Sequence, residues 1–360
     1  MAKITTVFGD IAPEELGFTS MHDHTFLDMH VAGEFLKAMF PDATEEMLAF
    51  KPENYIHLKT GMYLASEELH LIDDLEGLTK EFNYFKADGG NSVVDPAPLG
   101  IRGDINKIRA LSKATGLNII CATGIYHETA TPEEYRGFSA DEYYKLFMDE
   151  IENGIDGTDA HPGILKASFA TISESEMNVL DGCLRAGSET GMVTYVHTEP
   201  MLDPDEVLEA LNKTTAKYGL DHDRVSVCHM DNRIAAGVGV MDYLEDPDTD
   251  RTLDLTLSKL LLENGYNIGL DTWGMPVENP NYFMADDFER LKALITLMDM
   301  GYEDHITLGN DFSSKLSWRA YGGYGCTRFI DFGLSMLEML GREDQIKKLV
   351  YDNPKRILAY

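Results

Sequence analysis

Residues 192–197 read MVTYVH, a short run of apolar and β-prone side chains closed by a histidine. A run of this length with so little polar alternation marks a strand buried on both faces, as in a parallel sheet. Seven other stretches have a similar build: GFTSMH (17–22), NSVVD (91–95), LNIICAT (117–123), GILKAS (163–168), RVSVCH (224–229), NIGLD (267–271) and HITLGND (305–311). Segments with helical periodicity lie between most of them, such as DINKIRALSKATG (104–116) and SEMNVLDGCLRAGSETG (175–191). Gly116 and Gly191 close these two segments as helix C-cap glycines do. Eight successive β/α units predict a (β/α)8 TIM barrel.

The chain has 360 residues, 44% of them hydrophobic, which suits one large core and a single domain over 1–360. One connection is far longer than the usual few residues: 25–80, after the first strand. Helices are expected in it around 32–40, 43–50 and 65–82, as a cap over the barrel mouth or an interface element. A second long loop, TWGMPVENPNYFM (272–284), follows strand seven. The formal net charge of −32 argues against nucleic acid and anionic membranes as partners. No stretch of 18 apolar residues suggests a membrane span, and the N-terminus reads as no secretory signal. The cysteines at 121, 183, 228 and 326 form no CxxC pair, and Cys121 and Cys228 sit in apolar runs. A reducing, cytoplasmic setting is expected.

Imidazoles and carboxylates gather at the C-terminal ends of the strands, which in a barrel converge on one mouth. Strand one ends in His22 and His24, strand five in His197, strand six in His229, strand eight in Asp311. Residues i and i+2 of a strand share a side, so His22 and His24 face inward together and Asp23 faces away. Four histidines and an aspartate converging in this way have the composition of a site for zinc or a neighbouring divalent ion. Strand four carries Lys166 in an otherwise apolar or small run. It reads either as a snorkelling surface lysine or as a buried amine, which when neutral can add carbon dioxide and become an anionic carbamate ligand.

This ordered set resembles the phosphotriesterase branch of the amidohydrolase superfamily: HxH on strand one, Lys on strand four, His on strands five and six, Asp on strand eight. The likeness runs over nearly the whole chain, through FGDIAPEELGFTSMHDH, DGGNSVVDPAPLGIRGD, TGLNIICATGIY, YGGYG and DNPKRIL. It implies two divalent ions, zinc first, with manganese or cobalt as alternatives. His22, His24 and Asp311 would hold the buried ion and His197 and His229 the exposed one, with carboxylated Lys166 and a hydroxide bridging them. Asp311 would take a proton from the attacking hydroxide. Asp231 would relay it, or cap a helix in MDN. Tyr126 matches a position beside the metals in lactonase-like relatives, and otherwise reads as a strand-end aromatic packed under a loop. Arg102, Lys315 and Arg319 are candidate cations for a substrate carboxylate or phosphate, or else solvated charges. Trp273, Tyr282, Phe283 and Trp318 are candidates for an apolar pocket wall. A homodimer is implied by the resemblance alone.

The segment from Asp28 onward and the loop after strand seven match no particular subgroup, which leaves the small-molecule substrate open. Small lactones or carboxylic esters come first, a phosphorylated sugar lactone next, then an amide, with organophosphate triesters incidental. A reading from another class is a metal-containing barrel that binds or oligomerises without turnover. Against it, every catalytic-type position is filled.

Overall fold

The computed structural model describes residues 2–29, 40–59, 65–235, 244–245, 253–275 and 284–360. Eight parallel strands form one sheet in sequence order. They are β1 (Thr19–Ser20), β2 (Ser92–Asp95), β3 (Asn118–Gly124), β4 (Ile164–Phe169), β5 (Thr194–Thr198), β6 (Val225–Val227), β7 (Asn267–Leu270) and β8 (Ile306–Leu308). Backbone bonds join the two ends of the sheet: Met21 N–H to Leu308 O at 2.9 Å, and Asn310 and Asp311 N–H to His22 O at 3.1 and 3.0 Å. The strand order and these bonds make a (β/α)8 barrel, as the run pattern predicts.

Helices α1 (Leu75–Ala87), α2 (Ile105–Thr115), α3 (Ala140–Asn153), α4 (Glu174–Thr190), α5 (Pro204–Tyr218), α6 (Thr256–Glu263) and α7 (Asp287–Asp299) follow β1 to β7 in turn. Short helices including Ser335–Met339 and Asn353–Leu358 follow β8. Gly116 and Gly191 are left-handed C-caps, at φ 67° and 83°.

The period of two along each strand sorts its side chains between two apolar layers. On β4, Leu165, Ala167 and Phe169 join the large core under the helices, while Ile164 joins the barrel interior with Val94, Ile120, Tyr195 and Cys228. Lys166 shares parity with Ile164 and is 1% exposed, so it is a buried interior amine rather than a snorkelling one. The strand beside it must be bare: a Cβ on Gly124 would stand 1.9 Å from Lys166 O.

The long connection departs from its expected helices. The span 65–82 divides into a helix at Glu67–His70, a strand at Leu71–Ile72 pairing antiparallel with Leu27–Asp28, and then α1. The Asp74 side chain caps Gly77 N–H and starts α1 afresh, which is why one helix does not run through. The helix expected over 43–50 is confined to Glu45–Leu48, and most of 32–40 lies outside the described residues. Leu58 and Leu69 pack on Leu316, and the Phe50 ring meets Tyr321 at 4.7 Å, so this segment leans on the loop after β8.

Candidate metal centre

The strand ends bring the predicted ligands together. The rings of His22 and His24 lie 5.4 Å apart at 78°, and Asp311 Oδ1 is 3.2 Å from His24 Nε2 and 3.8 Å from His22 Nε2. The His229 ring is 4.7 Å from His22 and 4.6 Å from His197. Asp23 faces away, as the period of two requires, and its carboxylate accepts from Ser20 Oγ, Asn310 Nδ2 and Phe312 N–H.

Each of these four imidazoles has one nitrogen on a carboxylate. Asp271 takes two of them, His22 Nδ1 at 2.8 Å and His229 Nδ1 at 2.9 Å. Asp95 faces His24 Nδ1 at 3.3 Å, and Glu199 faces His197 Nε2 at 3.2 Å. An N–H donated to a carboxylate leaves the opposite ring nitrogen bare, oriented and basic, the arrangement that metal-binding histidines use. Asp271 also accepts the His229 backbone N–H at 2.9 Å, and a Cβ at Gly269 would come within 2.4 Å of its Oδ2.

The electrostatics suit ligation. Burial lowers His22 to about 4 and His197 to about 3, so both rings are neutral at pH 7. Burial also opposes charge on His24, but Asp311 and Asp95 outweigh it and raise the ring to about 9. Burial would raise the Asp311 carboxyl, yet the imidazoles around it hold it well below the usual range. A positive charge is therefore favoured between His24 and Asp311. Two ligand positions have unusual backbone: His229 and Asp311 are non-glycine residues at φ 62° and 48°. Such conformations cost on the order of 1–3 kcal/mol each and cluster where geometry serves a site.

Lys166 Nζ is buried beside Cys228 Sγ at 3.6 Å, with no carboxylate in ion-pair range among the described residues. The Tyr126 hydroxyl lies 3.4 Å from His197 Nδ1.

Other expected site residues have different surroundings. Asp231 neither caps a helix nor bonds to Asp311: its Oδ2 accepts Thr272 N–H at 2.8 Å and faces Arg290 Nε at 3.3 Å. Arg102 is a buried strut rather than a substrate cation, because its guanidinium bonds Glu150 at 2.7 Å and Ala122 O at 2.8 Å. Arg319 is paired with Asp331 at 2.7 Å. Trp273 is core, not pocket wall: it is 1% exposed, and its indole N–H donates to Leu270 O at 3.0 Å. Trp318 is likewise buried, stacked on Phe312. Lys315 is half-buried in the loop after β8, and Tyr282 and Phe283 lie outside the described residues.

Four residues that the sequence reading passed over belong to the site: Asp95, Asp271, Glu199 and His127. Asp95 and Asp271 are the last letters of NSVVD and NIGLD, so the strand-end rule that found the histidines marks them too. Glu199 lies two residues after His197, and His127 follows Tyr126.

Comparison with known proteins shows the family. The phosphotriesterase family model matches residues 2–358. The chain belongs to that family. It is a hydrolytic enzyme. An N-acetyltaurine hydrolase from Xenopus tropicalis is 27% identical, with 99% of this chain and 98% of the relative covered. A resiniferatoxin-binding protein from Rhodobacter sphaeroides superposes with a TM-score of 0.82 at 26% identity, covering 99% of this chain and 94% of that one. A lactonase from Listeria monocytogenes shares the fold, with a TM-score of 0.74 at 21% identity over 99% and 98% of the two chains.

Proposed function

We propose that the mouth is a binuclear metal centre that hydrolyses a carboxylic acyl bond in a small molecule, a lactone or ester before an amide. The observation that carries this reading is the group of four imidazoles, each fixed by a carboxylate, with Asp311 and a buried lysine that has no acidic partner among the described residues. This set fits two divalent cations. His22, His24 and Asp311 would hold one, His197 and His229 the other. Lys166, as its carbamate, would supply the anionic oxygens between them. Zinc suits the donors, as do manganese and cobalt. Bound there, the ions would polarise the carbonyl oxygen and bring the pKa of water down to about 7.

The chain's own groups supply the rest. Asp311, held ionised by its imidazole neighbours, accepts the proton of the attacking water and returns it to the leaving alkoxide or amine. The Tyr126 hydroxyl, 3.4 Å from His197, is placed to donate to the substrate's oxygen. Arg102 and Arg319 are occupied by carboxylates, so neither is free to hold an anionic substrate group. The N-acetyltaurine hydrolases among the relatives support the second reading, an N-acyl amide.

The test is elemental analysis of protein purified without chelator, joined to a panel of lactones, esters and N-acyl amides that includes N-acetyltaurine. About two ions per chain, with turnover lost on chelation and regained with zinc or manganese, is expected. Metal near zero after reconstitution, or no turnover across the panel, would sink the proposal.

A further inference from the structure

Beside the inner ligands lies a second group that shares His197 with them and adds His127 and Glu199, two residues that the hydrolytic reading does not need as ligands. His127, just past β3, has its ring 4.9 Å from that of His197, at an interplanar angle of 79°. Glu199 Oε1 sits between them, 3.2 Å from His197 Nε2 and 3.6 Å from His127 Nε2. This repeats the inner triad, in which two rings at 78° are closed by Asp311 Oδ1 at 3.2 and 3.8 Å. In both groups the ligand atoms lie within 4.8 Å of one another. A tetrahedral zinc with bonds of about 2.0–2.1 Å needs ligand atoms roughly 3.3 Å apart.

We propose that the rim of the mouth carries a third divalent-cation site, of zinc type, built from His127, His197 and Glu199. In each ring the opposite nitrogen is turned away from Glu199, which leaves Nε2 facing the rim: His127 Nδ1 lies 3.3 Å from Ser168 Oγ, and His197 Nδ1 is the nitrogen on the inner side. Two imidazoles and one carboxylate leave a fourth position open to water. A cation here would replace the Nε2 proton of His197, which leaves to solvent; with Nδ1 on the inner ion, the ring would then bind as an imidazolate shared by the two ions. The Glu199 side chain is 42% exposed against 15% for Asp311, so the rim ion binds more weakly and exchanges faster.

The experiment is equilibrium dialysis of the full chain against buffered zinc from trace to excess, with bound metal counted by elemental analysis. Wild type is expected to fill two positions and then a third at higher free zinc. His127→Ala, its fold checked by circular dichroism, is expected to stop at two. Glu199→Gln, which keeps the side-chain volume, is the second variant and is expected to stop at two as well. Wild type saturating at two with His127→Ala also at two overturns the rim site and leaves the proposed function standing. Two ions falling to one in His127→Ala keeps the rim site but sinks the paired inner centre. Three ions in both variants overturns the rim site.

Discussion

The inner and outer triads of the mouth use the same parts in different surroundings. Inside, His22 and His24 are buried and Asp311 is 15% exposed, and the second contacts of the two rings are the buried carboxylates Asp271 and Asp95. Outside, His197 and His127 share one carboxylate, Glu199, which solvent reaches. Geometry alone does not separate them, since both bring two rings together at nearly the same angle around one oxygen. Burial does. A cation held where water is scarce interacts through a lower effective dielectric and is harder to replace. The inner group therefore has the character of a resident site and the outer one of an exchanging site.

The largest expected effect comes from the inner carboxylate. Asp311→Asn keeps the size and the strand-end position but removes the base. Turnover is expected to fall on the order of 10²–10⁴-fold, with circular dichroism little changed and melting temperature lowered no further than stripping the inner ion lowers it. A variant that retained wild-type kcat would show that Asp311 is a ligand without a role in proton transfer. Chelation comes next. An inner site filled at 100 times its dissociation constant stabilises the fold by roughly 2.7 kcal/mol. Melting temperature should accordingly drop on stripping and return with zinc in a concentration-dependent way. An unchanged melting curve would contradict a resident inner ion.

Much of this was legible in the sequence because two period rules act together. Strand alternation fixed which side His22 and His24 face, and the barrel rule fixed where His197, His229 and Asp311 meet. The structure brings these five to one place. Asp95 and Asp271 obey the same strand-end rule, yet a carboxylate there reads as a turn residue until its histidine partner is seen on a nearby strand, 71 or 249 positions away in the chain. Arg102 and Trp273 went astray for the converse reason. Each lies just past a strand end, but whether the side chain turns toward the mouth or back into the wall depends on partners such as Glu150 and the Leu270 carbonyl. No local pattern names those partners.

The carboxylates behind the imidazoles give a smaller, graded effect. Losing such a partner typically costs about 10–100-fold in metal affinity. Asp271 serves two rings from a buried position, so Asp271→Asn is expected near 100-fold. Glu199 serves His197 from an exposed one, so Glu199→Gln is expected near 10-fold for the weaker inner ion. Competition with a zinc-chelating dye measures both. Equal losses would mean that burial does not distinguish the two sides of the mouth.

The smallest effect belongs to Tyr126, whose hydroxyl touches the shared residue of both groups. Tyr126→Phe removes one neutral hydrogen bond, about 0.5–1.5 kcal/mol, which is at most roughly tenfold. If the hydroxyl serves the substrate, the loss falls in kcat/KM and inner zinc affinity stays put. If instead its main partner is His197 Nδ1, removing it frees that nitrogen, and zinc binds slightly tighter while turnover is spared. The two outcomes lie in different measurements, so one variant decides whether Tyr126 belongs to the chemistry or to the histidine that stands between the inner and outer sites.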